Sequence, residues 1–177
     1  MENLSGKTVA VIATHGFEDS ELTEPVSAVT DAGATVHIIS TETGEITGKK
    51  GHAVTVDKTT AEAAAGDYDA LILPGGTANS DTIRMDRNAV GFVRAMVEAG
   101  KPTGVICHGG WILTDAGVLK DRVITSYPSI KTDLINAGAT WVDEQCHVDQ
   151  GLVSSRTPAD LPAFNAKLIE EIAEGTH

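Results

Sequence analysis

An Ala-Gly pair recurs four times in this chain, at Ala32-Gly33, Ala99-Gly100, Ala116-Gly117 and Ala137-Gly138. Each pair closes a stretch that reads as helix, and a stretch that reads as strand follows. Glycine just past a helix end suits the left-handed backbone needed there, and Lys101-Pro102 adds a further stop after the second pair. The clearest strands are short and apolar: residues 8–13 (TVAVIA), 35–40 (TVHIIS), 70–73 (ALIL) and 103–106 (TGVI). The first and third are continuous apolar runs, as in strands covered on both faces. Strand alternating with helix implies βαβ units and a mostly parallel sheet with helices on both faces. Two antiparallel additions are expected. Turn residues around 44–51 separate the second strand from residues 53–56, and Asp149-Gln150-Gly151 separates His147-Val148 from Leu152-Val153. For the last helix, Thr157 is placed to cap, Pro158 suits the first turn and Asp160 lies near the positive end. Leu161, Phe164, Leu168 and Ile172 share one face, which predicts docking onto the sheet.

At 177 residues the chain is expected to form one domain, residues 1–177. That length buries a core without help from a metal or a disulfide. The charge is unbalanced: 25 acidic against 13 basic residues, a net −12. Such a field repels phosphate backbones and anionic lipid, so neither nucleic acid nor membrane is an expected partner. Apolar runs reach about five residues, far below the ~20 needed to span a bilayer. The N-terminus carries no secretory signal pattern. Cys107 and Cys146 do not make a disulfide framework. A reduced, cytoplasmic setting fits them best.

In an open parallel sheet, ligands bind beyond the carboxyl ends of the strands. Three strand ends therefore carry the candidate chemistry: His15-Gly16-Phe17-Glu18-Asp19, Pro74-Gly75-Gly76 and Cys107-His108-Gly109-Gly110. The third has the layout of a nucleophile elbow, a strand turning sharply into a helix at Trp111. Gly109 is the small residue expected two places after the nucleophile; Val105, two places before it, is not small. The following helix aims free N–H groups at the sulfur, which favours the thiolate. His108 is the adjacent candidate partner, although neighbouring residues on a helix do not face each other; a strained turn is needed to bring both side chains together. Pro74-Gly75-Gly76 permits close backbone approach and, beside the elbow, suggests an oxyanion hole. Glu18 is placed to bring a carboxyl with a raised pKa to the sulfur, with Asp19 and Glu21 as neighbours that spacing alone does not exclude. His15 stands at the rim. Cys107, His108, Cys146 and His147 lack metal-site spacing, and no metal is expected.

These residues carry a family resemblance. Residues 16–22 (GFEDSEL) with Pro25, then Leu73-Pro74-Gly75-Gly76, Ile106-Cys107-His108-Gly109 and Ser126-Tyr127-Pro128 resemble PfpI-type proteins. The likeness runs on through Trp141-Val142-Asp143 and Ser154-Ser155-Arg156 to Ala159-Asp160-Leu161. PfpI-type proteins belong to the DJ-1/PfpI superfamily, which is related to class I glutamine amidotransferases. The resemblance implies a flavodoxin-like three-layer α/β sandwich. It implies Cys107 as nucleophile in a strained conformation, His108 as its partner and Glu18 as hydrogen-bond partner of the sulfur. The backbone around Gly75, Gly76 and His108, with Gly109 behind it, would form the oxyanion and substrate pocket. An acid from a neighbouring subunit would complete the triad, and the match falls on Asp81, where relatives often carry Glu. Gly110 stands where many relatives have Pro. No cofactor is implied, and a homodimer or hexamer is.

The activities implied are deglycation, cofactor-free conversion of methylglyoxal to lactate, and intracellular peptide hydrolysis. All have a thiolate attacking an electron-poor carbon. A single-domain chain suits a small carbonyl or glycated adduct better than a long peptide. Two other readings stand beside this one. The protein would be a noncatalytic oxidation sensor or chaperone-like protein if Cys107 serves only to be oxidised. It would be a glutamine amidotransferase if His147-Val148-Asp149 served as a His-x-Glu equivalent.

Overall fold

The structure, a computed structural model, describes residues 2–177. The elements run β1 (Thr8–Ile12), α1 (Asp19–Asp31), β2 (Thr35–Ser40), β3 (Glu45–Thr47), β4 (Ala53–Thr55), β5 (Lys58–Thr59), β6 (Ala70–Leu73), α2 (Thr77–Ile83), α3 (Arg87–Glu98), β7 (Thr103–Ile106), α4 (Trp111–Ala116), β8 (Val123–Ile124), α5 (Lys131–Asn136), β9 (Thr140–Trp141), β10 (His147–Asp149), β11 (Leu152–Ser155) and α6 (Leu161–Glu174). The main sheet has the order β10-β11-β7-β6-β1-β2-β5. Every neighbouring pair is parallel except the edge hairpin β10-β11. This is the flavodoxin-like three-layer sandwich.

Strand alternation divides the core in two. Val9, Val11, Ala70 and Ile72 point to the face covered by α1 and α6, where Leu22, Val29, Phe164 and Leu168 meet them. Ala10, Ile12, Leu71 and Leu73 point to the other face, against Phe92, Val93 and Met96 of α3 and Ile112 and Leu113 of α4. All four apolar residues of the α6 stripe are buried. At about 25 cal/mol per Å² of apolar surface removed from water, these two layers carry most of the stability. The four Ala-Gly helix ends are present, and Gly33, Gly100, Gly117 and Gly138 all take positive φ, from 68° to 109°.

Two local expectations are corrected. The stretch read as turn after β2 contains β3, which pairs antiparallel with β4 as a separate hairpin, Ile46 opposite Val54; β2 itself pairs in parallel with β1 and β5. The polar, half-exposed sequence of β3 has no apolar run to announce it. Thr157 makes no side-chain capping bond. A 3-10 turn (Pro158–Asp160) precedes α6, and Asp160 accepts hydrogen bonds from the backbone N–H and guanidinium of Arg156 instead. No helix among the described residues is long and apolar enough to cross a membrane.

Candidate active site

The chain leaves β1 toward β2 on one side of the sheet and returns at β6 on the other, so the order reverses between β1 and β6. The crevice at such a switch point is where this class of sheet binds ligands. The loops after β1, β6 and β7 converge there.

Strand β7 is buried throughout, and Ile106 still has strand geometry at φ −133°, ψ 144°. The next residue, Cys107, has φ +61°. A left-handed conformation at a residue other than Gly, Asn or Asp costs roughly 1–3 kcal/mol and persists only where its surroundings enforce it. Here the Cys107 carbonyl accepts the Tyr127 N–H at 3.1 Å. Gly109 lies so close to β6 that a Cβ would collide with the Leu73 carbonyl oxygen. The elbow is the one expected, and Val105, buried in the sheet behind it, does not prevent the turn.

The strained turn also resolves how adjacent residues meet. His108 Nδ1 lies 3.4 Å from Cys107 Sγ. The ring stacks on Tyr127, centroids 4.9 Å apart at 28°, and its Nε2 lies 3.1 Å from Ser129 Oγ. Burial, and then the nearby Lys49 ammonium, hold the His108 pKa below the usual value, so the imidazole is neutral at pH 7.

The carboxyl that reaches the sulfur belongs to Glu21, not Glu18. Glu21 is fully buried, accepts the Gly75 N–H at 2.9 Å and interacts with the Cys107 thiol. Its Oε2 makes no conventional hydrogen bond. Burial raises the Glu21 pKa to about 7, against the lowering effect of the Gly75 bond and with help from the Glu18 charge. Glu18 lines the same cavity but pairs with Lys49 and, at 3.0 Å, with Lys50. Burial opposes its ionisation, but the two lysines outweigh burial and leave its pKa below the ordinary value.

The sulfur also differs from expectation. Burial, and then the Glu21 charge, push the Cys107 thiol up to about 12, despite the N–H groups of His108 and Gly76 and the charge of Lys49. Helix-start N–H groups alone do not ionise it. With Glu21 at about 7 and Cys107 at about 12, the carboxyl loses its proton first and the sulfur keeps its own, the two groups titrating as a coupled pair. The oxyanion set changes accordingly. Gly75 N–H is committed to Glu21, Gly76 N–H and His108 N–H face the sulfur, and Gly109 serves to let the elbow approach β6.

Asp81 is exposed on α2 and makes no bond to His108 within the chain. His147 and Asp149 are engaged elsewhere: His147 with Glu144 at 2.9 Å, Asp149 with Arg122 at 3.0 Å and the Val123 N–H at 2.9 Å. They do not form a triad with Cys107, and the amidotransferase reading loses its histidine. His15 accepts the Thr47 N–H at 3.1 Å, outside the cavity that holds Cys107. That cavity, about 220 Å³, is lined by Glu18, Glu21, Lys49, Cys107, His108, Tyr127 and the Thr157-Pro158 rim. Sequence reasoning missed Lys49, Tyr127 and Ser129 as site residues. The Lys49-Lys50 pair, basic in an acidic chain, was the available signal. Among the described residues, Glu171, Glu174 and His177 are grouped closely enough to share a metal ion. They lie at the opposite ends of the strands, where the His177 N–H bonds the Gly100 carbonyl.

A parallel α/β sandwich with a strained cysteine elbow at its switch point, backed by a buried glutamic acid, defines a small class of proteins. Over residues 7–171 the chain matches the DJ-1/PfpI family, and it belongs to that family. Deglycase PH1704 of Pyrococcus horikoshii is 46% identical over 162 residues, covering 92% of this chain and 97% of that protein. Protein/nucleic acid deglycase 2 of Escherichia coli is 44% identical over 166 residues, 92% and 96% of the two chains. The crystal structure of Drosophila melanogaster DJ-1beta superposes with a TM-score of 0.87 at 27% identity, covering 98% of this chain and 91% of that one.

Proposed function

We propose that this chain is a hydrolase-type deglycase that uses Cys107 to release amines and thiols from adducts of small α-oxoaldehydes. The observation that carries the reading is the juxtaposition of Cys107, Glu21 and His108 at the floor of a cavity of about 220 Å³. That volume admits a three-carbon adduct and is below the roughly 300–1,000 Å³ of sites for larger ligands. It supports a small-adduct substrate over a long peptide. Relatives named as deglycases, at 44% and 46% identity, support the same reading.

The chemistry follows from passing the proton of Cys107 to the Glu21 carboxylate beside it. When Glu21 holds it, the carboxylate charge that disfavours ionised sulfur is gone. The N–H groups of His108 and Gly76 and the Lys49 ammonium remain, and all favour the thiolate. Sγ then bonds to the former aldehyde carbon of the adduct. The carbon–nitrogen bond breaks, and the amine leaves with the Glu21 proton. Glu21 next takes the C–H proton from this hemithioacetal and returns it to the neighbouring carbon, while the hydroxyl proton of the first carbon passes to the ketone oxygen of the second, giving a lactoyl thioester without any external oxidant. Water cleaves the thioester, releasing lactate and restoring the thiol. The same isomerisation and hydrolysis would convert free methylglyoxal.

The test is incubation with methylglyoxal-modified N-acetylarginine or N-acetylcysteine, following free amine or thiol together with lactate. Wild type should turn over many times and Cys107→Ala not at all. Equal release by both proteins overturns the proposal. Oxidation of Cys107 without any turnover moves the protein to the sensor reading.

A further inference from the structure

We propose that Glu171, Glu174 and His177 form a site for a divalent cation of the zinc class, which clamps the segment after α6 onto the amino ends of β7 and β11. The site lies at the opposite ends of the strands from Cys107, so it does not depend on the reading of that cysteine.

The backbone builds the placement. Glu171 and Glu174 stand three residues apart at the end of α6 and share a face. Gly175, at φ +92°, ends the helix, and the chain turns back toward the sheet. The His177 N–H donates to the Gly100 carbonyl at 2.8 Å. Two glycines with positive φ leave room for it. A Cβ on Gly100 would collide with the His177 carbonyl oxygen, and one on Gly151 would stand 3.0 Å from the imidazole Cδ2. Gly100 and Gly151 precede neighbouring strands, which are joined there by the Thr103 N–H to Gly151 carbonyl bond at 2.9 Å. The sheet thus carries the imidazole to the two acids of α6.

One ligand atom from each residue lies within 4.8 Å of the others. His177 Nε2 is 2.6 Å from Glu171 Oε2 and 3.8 Å from Glu174 Oε2. Glu171 is only 8% exposed, and despite that short approach its Oε2 makes no hydrogen bond among the described residues. Lys167 of the same helix pairs with Glu170 at 3.1 Å. A buried carboxylate oxygen without a hydrogen bond is costly, and a cation shared with the ring nitrogen removes that cost. The donor set selects the ion. Imidazole with carboxylates suits zinc and its neighbours, whereas calcium and magnesium take oxygen shells. With bonds of about 2.0–2.2 Å, ligand atoms on one tetrahedral ion stand roughly 3.3 Å apart, between the two separations found here. Glu174 is half exposed, which leaves the fourth position to water.

The experiment is zinc titration by calorimetry and thermal unfolding. It uses untagged protein carrying Cys107→Ser and Cys146→Ser, so that no thiol takes the ion. One zinc should bind per chain, and zinc at 100 times its dissociation constant should raise Tm by about 5–10 °C. Magnesium at the same concentration should leave Tm unchanged. Glu171→Gln keeps the size of the buried side chain, and His177→Ala lies outside the core. A cooperative metal-free melt of each shows that it is folded, so that its zinc affinity reports the ligand. Each should bind zinc about 100-fold more weakly, the upper end of what losing even a supporting partner of a metal ligand costs. His147→Ala should bind as the parent does. Absence of zinc binding overturns the proposal and leaves an imidazolium–carboxylate pair only. Equal stabilisation by magnesium, or unchanged zinc affinity in either ligand variant, overturns it as well and leaves an acidic surface only.

Discussion

Glu21 Oε1 accepts the Gly75 N–H at 2.9 Å, and this bond fixes a buried carboxyl against the sulfur of Cys107 while removing one donor from the oxyanion set. Glu18, one helical turn earlier, points to Lys49 and Lys50 and is held ionised. Two acids three residues apart therefore have opposite tasks. Glu21→Gln keeps an acceptor for Gly75 but cannot move a proton. It should lower kcat/KM for amine release by about 100-fold, the lower end of what a positioned acid/base group contributes. Glu18→Gln frees two exposed lysines into water and should stay within about fivefold of wild type, as for a modest ion pair. Steady-state kinetics of both variants on the same adduct checks the assignment, and a larger loss in Glu18→Gln contradicts it.

The same carboxyl makes stability depend on pH. Its pKa rises from 4.5 in the unfolded chain to about 7 in the fold. Between these values the folded state binds more proton than the unfolded one, so this group's contribution to stability falls as pH rises through the window. At about 1.4 kcal/mol per pKa unit, the full cost above pH 7 is about 3 kcal/mol. Glu21→Gln removes that cost. Its urea unfolding free energy should match wild type near pH 4.5 and exceed it by up to about 3 kcal/mol at pH 8. Superimposable profiles of the two proteins would contradict the burial of an ionisable carboxyl here. Gain of stability with loss of turnover is what a group retained for chemistry shows.

The features legible in the sequence are those with a strong local cause. Glycine after each helix is needed for positive φ, and the apolar runs 9–13 and 70–73 are needed by strands covered on both faces, so sheet and helices could be read in order. The elbow was legible for the same reason: strand, cysteine and glycines are contiguous. What was not legible depends on contacts across sequence. Glu18 and Glu21 share one side of α1, and only the Lys49-Lys50 pair, brought from the loop between β3 and β4, separates their roles. The sequence around Cys107 promised an ionised sulfur; what opposes it is burial, and then the charge of Glu21 on α1, 86 residues earlier in the chain. Strand β3 has only Ile46 buried, and its pairing depends on β4 rather than on its own pattern. Ser129 follows a recognised Ser126-Tyr127-Pro128 stretch, yet nothing local ties it to His108, 21 residues earlier.

Adjacent glycines in the elbow should respond oppositely to alanine. A Cβ on Gly109 would press into the Leu73 carbonyl oxygen and reach the Pro74 carbonyl oxygen at 3.1 Å, both backbone atoms of β6 and its loop. Gly109→Ala must push the elbow off the sheet and should cost about 2–3 kcal/mol, with loss of activity. Gly110 has φ −73°, ψ −9°, and a Cβ there meets only Ile124 Cδ1 at 3.6 Å. Gly110→Ala should stabilise by about 0.5–1 kcal/mol, because alanine loses less backbone freedom on folding. Denaturant unfolding of the pair decides it, and similar losses in both variants would contradict the packing described.

Arg156 sets the rim opposite the elbow. Its guanidinium grips Asp160 with two bonds, at 2.9 and 3.0 Å, and reaches Asp143 at 2.8 Å. Asp160 is nearly buried, so removing the arginine strands a charge with little access to water. Breaking a buried pair by deleting one partner costs about 3–5 kcal/mol. Arg156 is itself partly exposed, so Arg156→Ala should cost about 2 kcal/mol. Thr157 and Pro158 lie between the two partners and form one wall of the cavity, which gives the substitution a second consequence. A loosened wall should raise KM for the adduct several-fold while the alkylation rate of Cys107 stays near wild type, since the elbow, Glu21 and His108 are untouched. Equal losses in KM and thiol reactivity would show instead that the rim supports the nucleophile itself.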